Sequence, residues 1–181
     1  MIGIVVFTVV EVASLGIWLA FVQRGMPVVG IVVLAIGLIV EHLLSYNVIN
    51  RRRLLQLTGL PVVKKAFVSL IETGIWALWL TLTGLSLLPQ ASLNAILAAV
   101  VLAVLLIVEH TLSDNVFKDK GLFSRLADGR TIGFSIIEAV GATIWLALVQ
   151  DNRAVVGIGV LTVGALIEHT MAVALARRRT A

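Results

Sequence analysis

Apolar residues are concentrated in six stretches of the chain, each about 20 residues long. An α-helix of that length crosses a bilayer, so each stretch predicts a transmembrane helix. Short turns with helix-breaking residues join the stretches in pairs, and longer basic connections join the pairs. The pattern predicts an all-α integral membrane protein with six transmembrane helices, arranged as three repeated helical hairpins. The predicted helices cover residues 2–23, 28–48, 66–87, 92–114, 132–150 and 154–176.

The composition agrees with this prediction. Of the 181 residues, 60% are hydrophobic and 13% are charged, and the mean hydropathy is +1.08. A soluble domain of this length has no interior large enough for so much apolar sequence, so the lipid bilayer is the expected surrounding. The first stretch has no basic residues before it and carries Glu11, which predicts a retained helix, not a cleaved signal peptide. The chain has no cysteine, which excludes disulfides and thiolate metal sites.

One polar pattern occurs three times within these apolar stretches. The first helix of each predicted hairpin has a Glu with a Trp seven residues after it, and the second helix has an adjacent Glu-His pair. The members are Glu11, Trp18, Glu41 and His42; Glu72, Trp79, Glu109 and His110; and Glu138, Trp145, Glu168 and His169. Every glutamate and histidine of the chain belongs to the pattern. We therefore expect three repeats, 2–48, 66–114 and 132–176, within a single transmembrane domain, 1–181.

The basic residues predict the orientation in the membrane. Twelve of the 14 Lys and Arg residues lie in the connections 50–65 and 115–130 or at the end of the chain. The positive-inside rule then places both termini and both connections in the cytoplasm. The net charge of +4 indicates contact of these connections with anionic lipid headgroups, and not a nucleic-acid partner.

Helix geometry brings the glutamates to one depth. At 1.5 Å per residue, all six lie roughly 8 to 14 Å from the predicted cytoplasmic ends of their helices. The three hairpins are therefore expected to form one polar layer inside a six-helix bundle with pseudo-threefold symmetry. The repeated tryptophans share a helix face with the glutamates, two turns further out. They are expected to cover the layer and to offer an indole N–H to a carboxylate or to water, with an aromatic belt at the membrane interface as the alternative.

The polar layer contains chemistry suited to metal ions. Six carboxylates at one depth repel each other, so protons, exchanging cations or bound metal ions must balance them. Carboxylate oxygens and imidazole nitrogens suit Fe, Mn and Zn, and the Glu/Glu/His set of each repeat is similar in ligand chemistry to carboxylate-bridged di-iron sites. Adjacent Glu and His diverge by about 100° around a helix, so one helix is not expected to direct both at one ion. Instead, the His of one repeat is expected to meet the Glu of its neighbour. The predicted metal ligands are Glu11, Glu41, His42, Glu72, Glu109, His110, Glu138, Glu168 and His169.

Three classes of function remain open, besides a structural polar network. The first is a membrane-embedded, multinuclear metal centre that performs redox or hydrolytic chemistry on a lipid-soluble or small substrate. The second is a transporter or channel for protons or divalent cations that binds them in the carboxylate layer. The third is a tetrapyrrole-binding membrane subunit, for which three His beside six Glu form a poor environment. The sequence assigns no catalytic residue and leaves open enzyme activity, a homo-oligomer and a larger membrane complex.

Overall fold

The computed structural model describes residues 2–49, 62–83, 94–117 and 129–178, and nearly all of these are helical, with no strand among them. The helices of this part of the chain are α1 (Ile2–Gln23), α2 (Pro27–Ile49), α3 (Val62–Leu82), α4 (Ala95–Phe117), α5 (Gly129–Gln150) and α6 (Ala154–Arg178). The predicted all-α class is confirmed. The predicted end of the third helix at 87, the start of the fourth at 92, and most of the two basic connections lie outside the described residues.

Five of the helices, α1, α2, α4, α5 and α6, are long and apolar enough to cross a membrane. Helix α3 begins with two turns that include Lys64 and Lys65, and its apolar part, Ala66–Leu82, is shorter. The helices also expose stripes of apolar side chains. The stripe on α4, for example, consists of Ile96, Val100, Val104 and Val108. Lipid is the solvent that such a surface requires, as in an integral membrane protein.

Two of the turns between paired helices have the same backbone geometry. The chain leaves α1 through Gly25, which has a φ of 73°, and leaves α5 through Asn152, which has a φ of 60°. The amide of the following residue then donates to the carbonyl five residues earlier, at 2.9 Å for Met26 and 2.7 Å for Arg153. This is the Schellman termination, in which Gly and Asn are the residues that best tolerate a left-handed conformation. It reverses the chain within a few residues and so builds tight hairpins.

The helices form a closed ring. Each helix packs against the next one in the chain, α6 packs against α1, and α2 also approaches α6. Two apolar clusters fill the interior. The larger one contains all four tryptophans and lies toward the α1–α2 and α5–α6 turns, whereas the smaller one consists of Ile4, Phe7, Leu44 and Val173. Along α1, α2 and α6, the glutamates lie between residues of the two clusters.

Candidate metal centre

Each histidine of the chain lies between two carboxylates, one from the residue before it and one from the next helix around the ring. The nitrogen-to-oxygen distances are 3.1 Å for His42–Glu41, 3.5 Å for His42–Glu72, 3.5 Å for His110–Glu109, 3.4 Å for His110–Glu138, 3.1 Å for His169–Glu168 and 3.4 Å for His169–Glu11. The contact with the next helix joins α2 to α3, α4 to α5 and α6 to α1. Each histidine therefore meets the glutamate of the next predicted repeat.

The side chains of adjacent Glu and His residues point toward each other, contrary to the prediction. Their side chains were expected to point apart, because consecutive residues diverge by about 100° around a helix. Instead, the Glu168 carboxylate approaches the His169 ring to 3.1 Å, and Glu41 approaches His42 equally closely. The prediction of divergent side chains is wrong because a Glu side chain has enough rotatable bonds to bend back across that angle. Adjacent Glu and His can thus face the same point.

These spacings fit a shared cation. Two ligand atoms that each lie about 2.1 Å from one ion, at octahedral or tetrahedral angles, are roughly 3.0 to 3.4 Å apart. The contacts of His169 with Glu168 and Glu11, at 3.1 and 3.4 Å, are close to this range. Most N–H···O hydrogen bonds are shorter, at about 2.9 to 3.0 Å.

The glutamates of the first helix of each hairpin also converge. Glu11 of α1, Glu72 of α3 and Glu138 of α5 each offer one oxygen, and these three atoms lie within 4.8 Å of one another. A second group of the same kind consists of His42, Glu72 and Glu109. Glu72 belongs to both groups. Two cation positions would therefore share one carboxylate.

Burial makes the ionised form of these six carboxylates costly. All six glutamates are buried, with exposed fractions between 2% and 8%. Among the described residues, Oε2 of Glu11, Glu72 and Glu138 and Oε1 of Glu109 are inaccessible and accept no hydrogen bond. An ionised carboxylate inside an apolar bundle is costly unless a cation or a donor compensates it. The layer could therefore hold a metal ion.

Hydroxyl groups also contact the histidines, and for His110 and His169 they do so at the ring nitrogen that faces away from the carboxylates. Thr8 Oγ1 lies 2.8 Å from His169 Nδ1, and Ser135 Oγ lies 2.9 Å from His110 Nδ1. Ser69 Oγ lies 3.2 Å from His42 Nδ1. Sequence reasoning missed these three residues. The signal was a Ser or Thr three residues before the first Glu of each hairpin, in the segments TVVE, SLIE and SIIE.

The tryptophans cover the layer on the side of the turns. Trp18, Trp79 and Trp145 are at most 1% exposed and belong to one apolar cluster. They therefore do not form an aromatic belt at the membrane interface. The expected hydrogen bond from Trp79 to a carboxylate is wrong, because Trp79 Nε1 donates to Ala98 O at 2.9 Å. The indole that reaches a carboxylate is Trp76, whose Nε1 lies 3.4 Å from Glu72 Oε1. Trp76 follows Glu72 by one helical turn and therefore shares its face.

Aromatic contact also covers the layer from the opposite side. Phe7 is 1% exposed, and its ring meets that of His169 edge-on, with centroids 4.6 Å apart. His110 is the most accessible of the three histidines, with 27% of its side chain exposed against 11% for His42 and 13% for His169. The centre is thus sheltered between two apolar clusters and is most accessible beside α4 and α5.

Comparison with protein-family models, curated proteins and solved structures finds no match to the chain. Any function must therefore be inferred from the donor atoms themselves. Buried carboxylates and imidazoles form a ligand set suited to Fe, Mn and Zn, and a poor one for soft thiophilic ions.

Proposed function

We propose that this protein is a membrane-embedded metal-binding protein whose centre contains at least two metal ions bridged by Glu72. The observation that carries the proposal is that Glu72 belongs to both groups of converging ligand atoms. The two oxygens of one carboxylate can bind two ions, which in such sites lie about 3.5 to 4 Å apart. His42 and Glu109 would join Glu72 at one ion, and Glu11 and Glu138 would join it at the other.

The remaining members of the predicted set have supporting positions. His110 bridges Glu109 and Glu138, and His169 bridges Glu168 and Glu11. Glu41 contacts His42. These side chains would fill further coordination positions or orient the ligands by hydrogen bonds. By charge alone, six carboxylates balance up to three divalent ions.

The chemistry of the centre follows from its ligands and its shelter. Fe, Mn or Zn in a carboxylate and imidazole site serves redox or hydrolytic reactions, in which an uncoordinated Glu can act as a general base. The surrounding apolar clusters exclude bulk water and large polar molecules. The proposed substrate is therefore small or lipid-soluble, and the side of α4 and α5 at His110 is where it would approach.

We also infer the arrangement that the sequence predicts: a single domain of six membrane-spanning helices in three pseudo-threefold hairpins, with both termini in the cytoplasm. Two observations support the symmetry. The contact from the histidine of one hairpin to the glutamate of the next recurs at 3.5, 3.4 and 3.4 Å. Each of these three histidines also contacts a Ser or Thr hydroxyl.

The cluster of buried tryptophans favours a fixed centre over an ion path. A conduit needs polar groups on both sides of its binding site, whereas Trp18, Trp79 and Trp145 lie among leucines on the side of the turns. A tetrapyrrole is disfavoured as well. Both ring nitrogens of His110 and of His169 already face protein groups, so neither is directed at a separate cofactor.

Metal analysis of the purified protein tests the proposal. The wild-type chain in mild detergent is expected to retain two or more Fe, Mn or Zn ions, measured by mass spectrometry together with a visible absorption spectrum. Glu72→Gln keeps the side-chain shape and is expected to lose the ions together. Asp151→Asn makes the same chemical change in an exposed turn and should retain them. A folded wild-type protein without metal would overturn the proposal, ion flux in liposomes would favour transport, and a Soret band would favour a tetrapyrrole.

A further inference from the structure

Two histidines of the centre, His110 and His169, each contact a hydroxyl with one ring nitrogen and carboxylates with the other. His169 meets Thr8 Oγ1 with Nδ1 at 2.8 Å and the carboxylates of Glu11 and Glu168 with Nε2. His110 repeats the arrangement with Ser135 at 2.9 Å and with two carboxylates on Nε2. Each ring therefore has a hydroxyl on one side and carboxyl oxygens on the other.

Each hydroxyl has a backbone acceptor one turn earlier in its own helix. Thr8 Oγ1 donates to Ile4 O at 2.8 Å, and Ser135 Oγ donates to Thr131 O at 2.9 Å. A hydroxyl has one hydrogen, so the oxygen that faces the imidazole acts as an acceptor. The ring nitrogen that faces it must then be the donor. Nδ1 therefore carries the hydrogen, and in the neutral ring the lone pair is on Nε2.

We propose that Thr8 and Ser135 are positioning residues that fix His169 and His110 as Nε2 metal ligands. The inference rests on the proposed metal centre. Hydrogen bonding at one imidazole nitrogen commonly fixes which nitrogen binds a metal, and it also holds the ring plane. With Nδ1 committed to the hydroxyl, the Nε2 lone pair faces carboxylate oxygens, and a metal ion between them would satisfy all of these acceptors.

His42 differs from the other two histidines. Its Nδ1 faces Ser69 Oγ at 3.2 Å, Glu41 Oε2 at 3.1 Å and Leu38 O at 3.0 Å. Hydroxyl and carboxylate thus meet the same nitrogen, and the hydroxyl does not separate the two ring positions. The proposal is therefore specific to the α4–α5 and α6–α1 contacts.

The test removes one hydroxyl at a time. Thr8→Val preserves the side-chain shape, and Ser135→Ala removes only the oxygen. Each is expected to weaken Co²⁺ binding to the metal-stripped protein in detergent by about 10- to 100-fold, as loss of such partners generally does. Thr8→Ser and Ser135→Thr keep the hydroxyl and should restore the affinity. Thr162→Val is the matched control, because Thr162 Oγ1 makes the same bond to the carbonyl four residues earlier but is exposed.

A second measurement detects the tautomer directly. Nitrogen NMR of protein with labelled histidine should assign the hydrogen of His169 to Nδ1 in the wild type, and this preference should be lost in Thr8→Val. Unchanged Co²⁺ affinity and tautomer in both hydroxyl-free variants would overturn the inference while leaving the metal centre intact. A wild-type protein that binds no metal would instead overturn the proposed function, and the positioning role with it.

Discussion

His169, near the end of the last helix, lies against Glu11 of the first helix, with Nε2 3.4 Å from Oε2. The two residues are far apart in the chain, and their contact closes the ring of helices between α6 and α1. Glu168 approaches the same nitrogen to 3.1 Å. A cation held among these groups would therefore connect the two ends of the bundle, and metal binding and ring closure should be linked.

Metal removal is accordingly expected to lower the thermal stability of the protein. An ion at 100 times its dissociation constant stabilises the folded state by about 2.7 kcal/mol when it binds only that state. Thermal unfolding in detergent, followed by tryptophan fluorescence, should occur at a higher temperature with Mn²⁺ than with a chelator. Glu11→Gln should abolish most of the difference, and Asp151→Asn should preserve it. Equal unfolding temperatures with and without Mn²⁺ in the wild type would contradict this link.

Trp76 should report directly on occupancy of the centre. Its indole Nε1 lies 3.4 Å from Glu72 Oε1, and its ring packs edge-on against Trp79 with centroids 5.8 Å apart. A paramagnetic ion such as Mn²⁺ or Co²⁺ bound by Glu72 is therefore expected to quench its fluorescence. Trp76→Phe should remove more of the metal-dependent quenching than Trp18→Phe, which serves as the control. If both variants lost the same share of the quenching, an ion at Glu72 would be excluded.

Much of the fold can be read from the sequence because one signal determines it. A stretch of apolar residues long enough to cross a bilayer has few alternatives to a helix, since every backbone polar group in lipid must be bonded internally. The convergence of Glu11, Glu72 and Glu138 was predictable from their common depth in the first helices of the three predicted hairpins. Which helices flank one another is also suggested by the short turns, although the closing contact between α6 and α1 is not.

The finer parts of the site could not be predicted. Thr8 and Ser135 resemble any Ser or Thr of a membrane helix that bonds to the carbonyl one turn before it, and only the position of the neighbouring hairpin shows a histidine beside them. The indole of Trp79 was assigned to the wrong acceptor because a carbonyl of α4, Ala98 O, competes for it. Both cases depend on contacts between helices, which helix periodicity does not specify.

The predicted orientation can be tested because the chain has no native cysteine. Gly129 and Asp151 are exposed at opposite ends of α5, and among the described residues no heavy atom outside the helix backbone lies within 4 Å of an ideal Cβ at Gly129. With both termini in the cytoplasm, Asp151→Cys should react with an impermeant maleimide on intact cells. Gly129→Cys should react only after the membrane is opened. The reverse labelling pattern would show that the positive-inside rule fails for this protein.

Gly30 should tolerate no side chain, because α2 packs directly against Trp18 there. A Cβ at Gly30 would lie 2.9 Å from Trp18 Cδ1 and 3.0 Å from Trp18 O. The backbone carbonyl cannot move without shifting α1, so Gly30→Ala is expected to destabilise the bundle by about 1 to 3 kcal/mol, as overpacking generally does. Thermal unfolding in detergent measures the loss. Gly74→Ala is the matched control, since an added Cβ meets nothing within 4 Å there and alanine favours the helix by up to about 1 kcal/mol. Equal stability of the two variants would mean that α1 and α2 do not pack through Gly30, and the cover formed by Trp18 over the carboxylates would then need a different geometry.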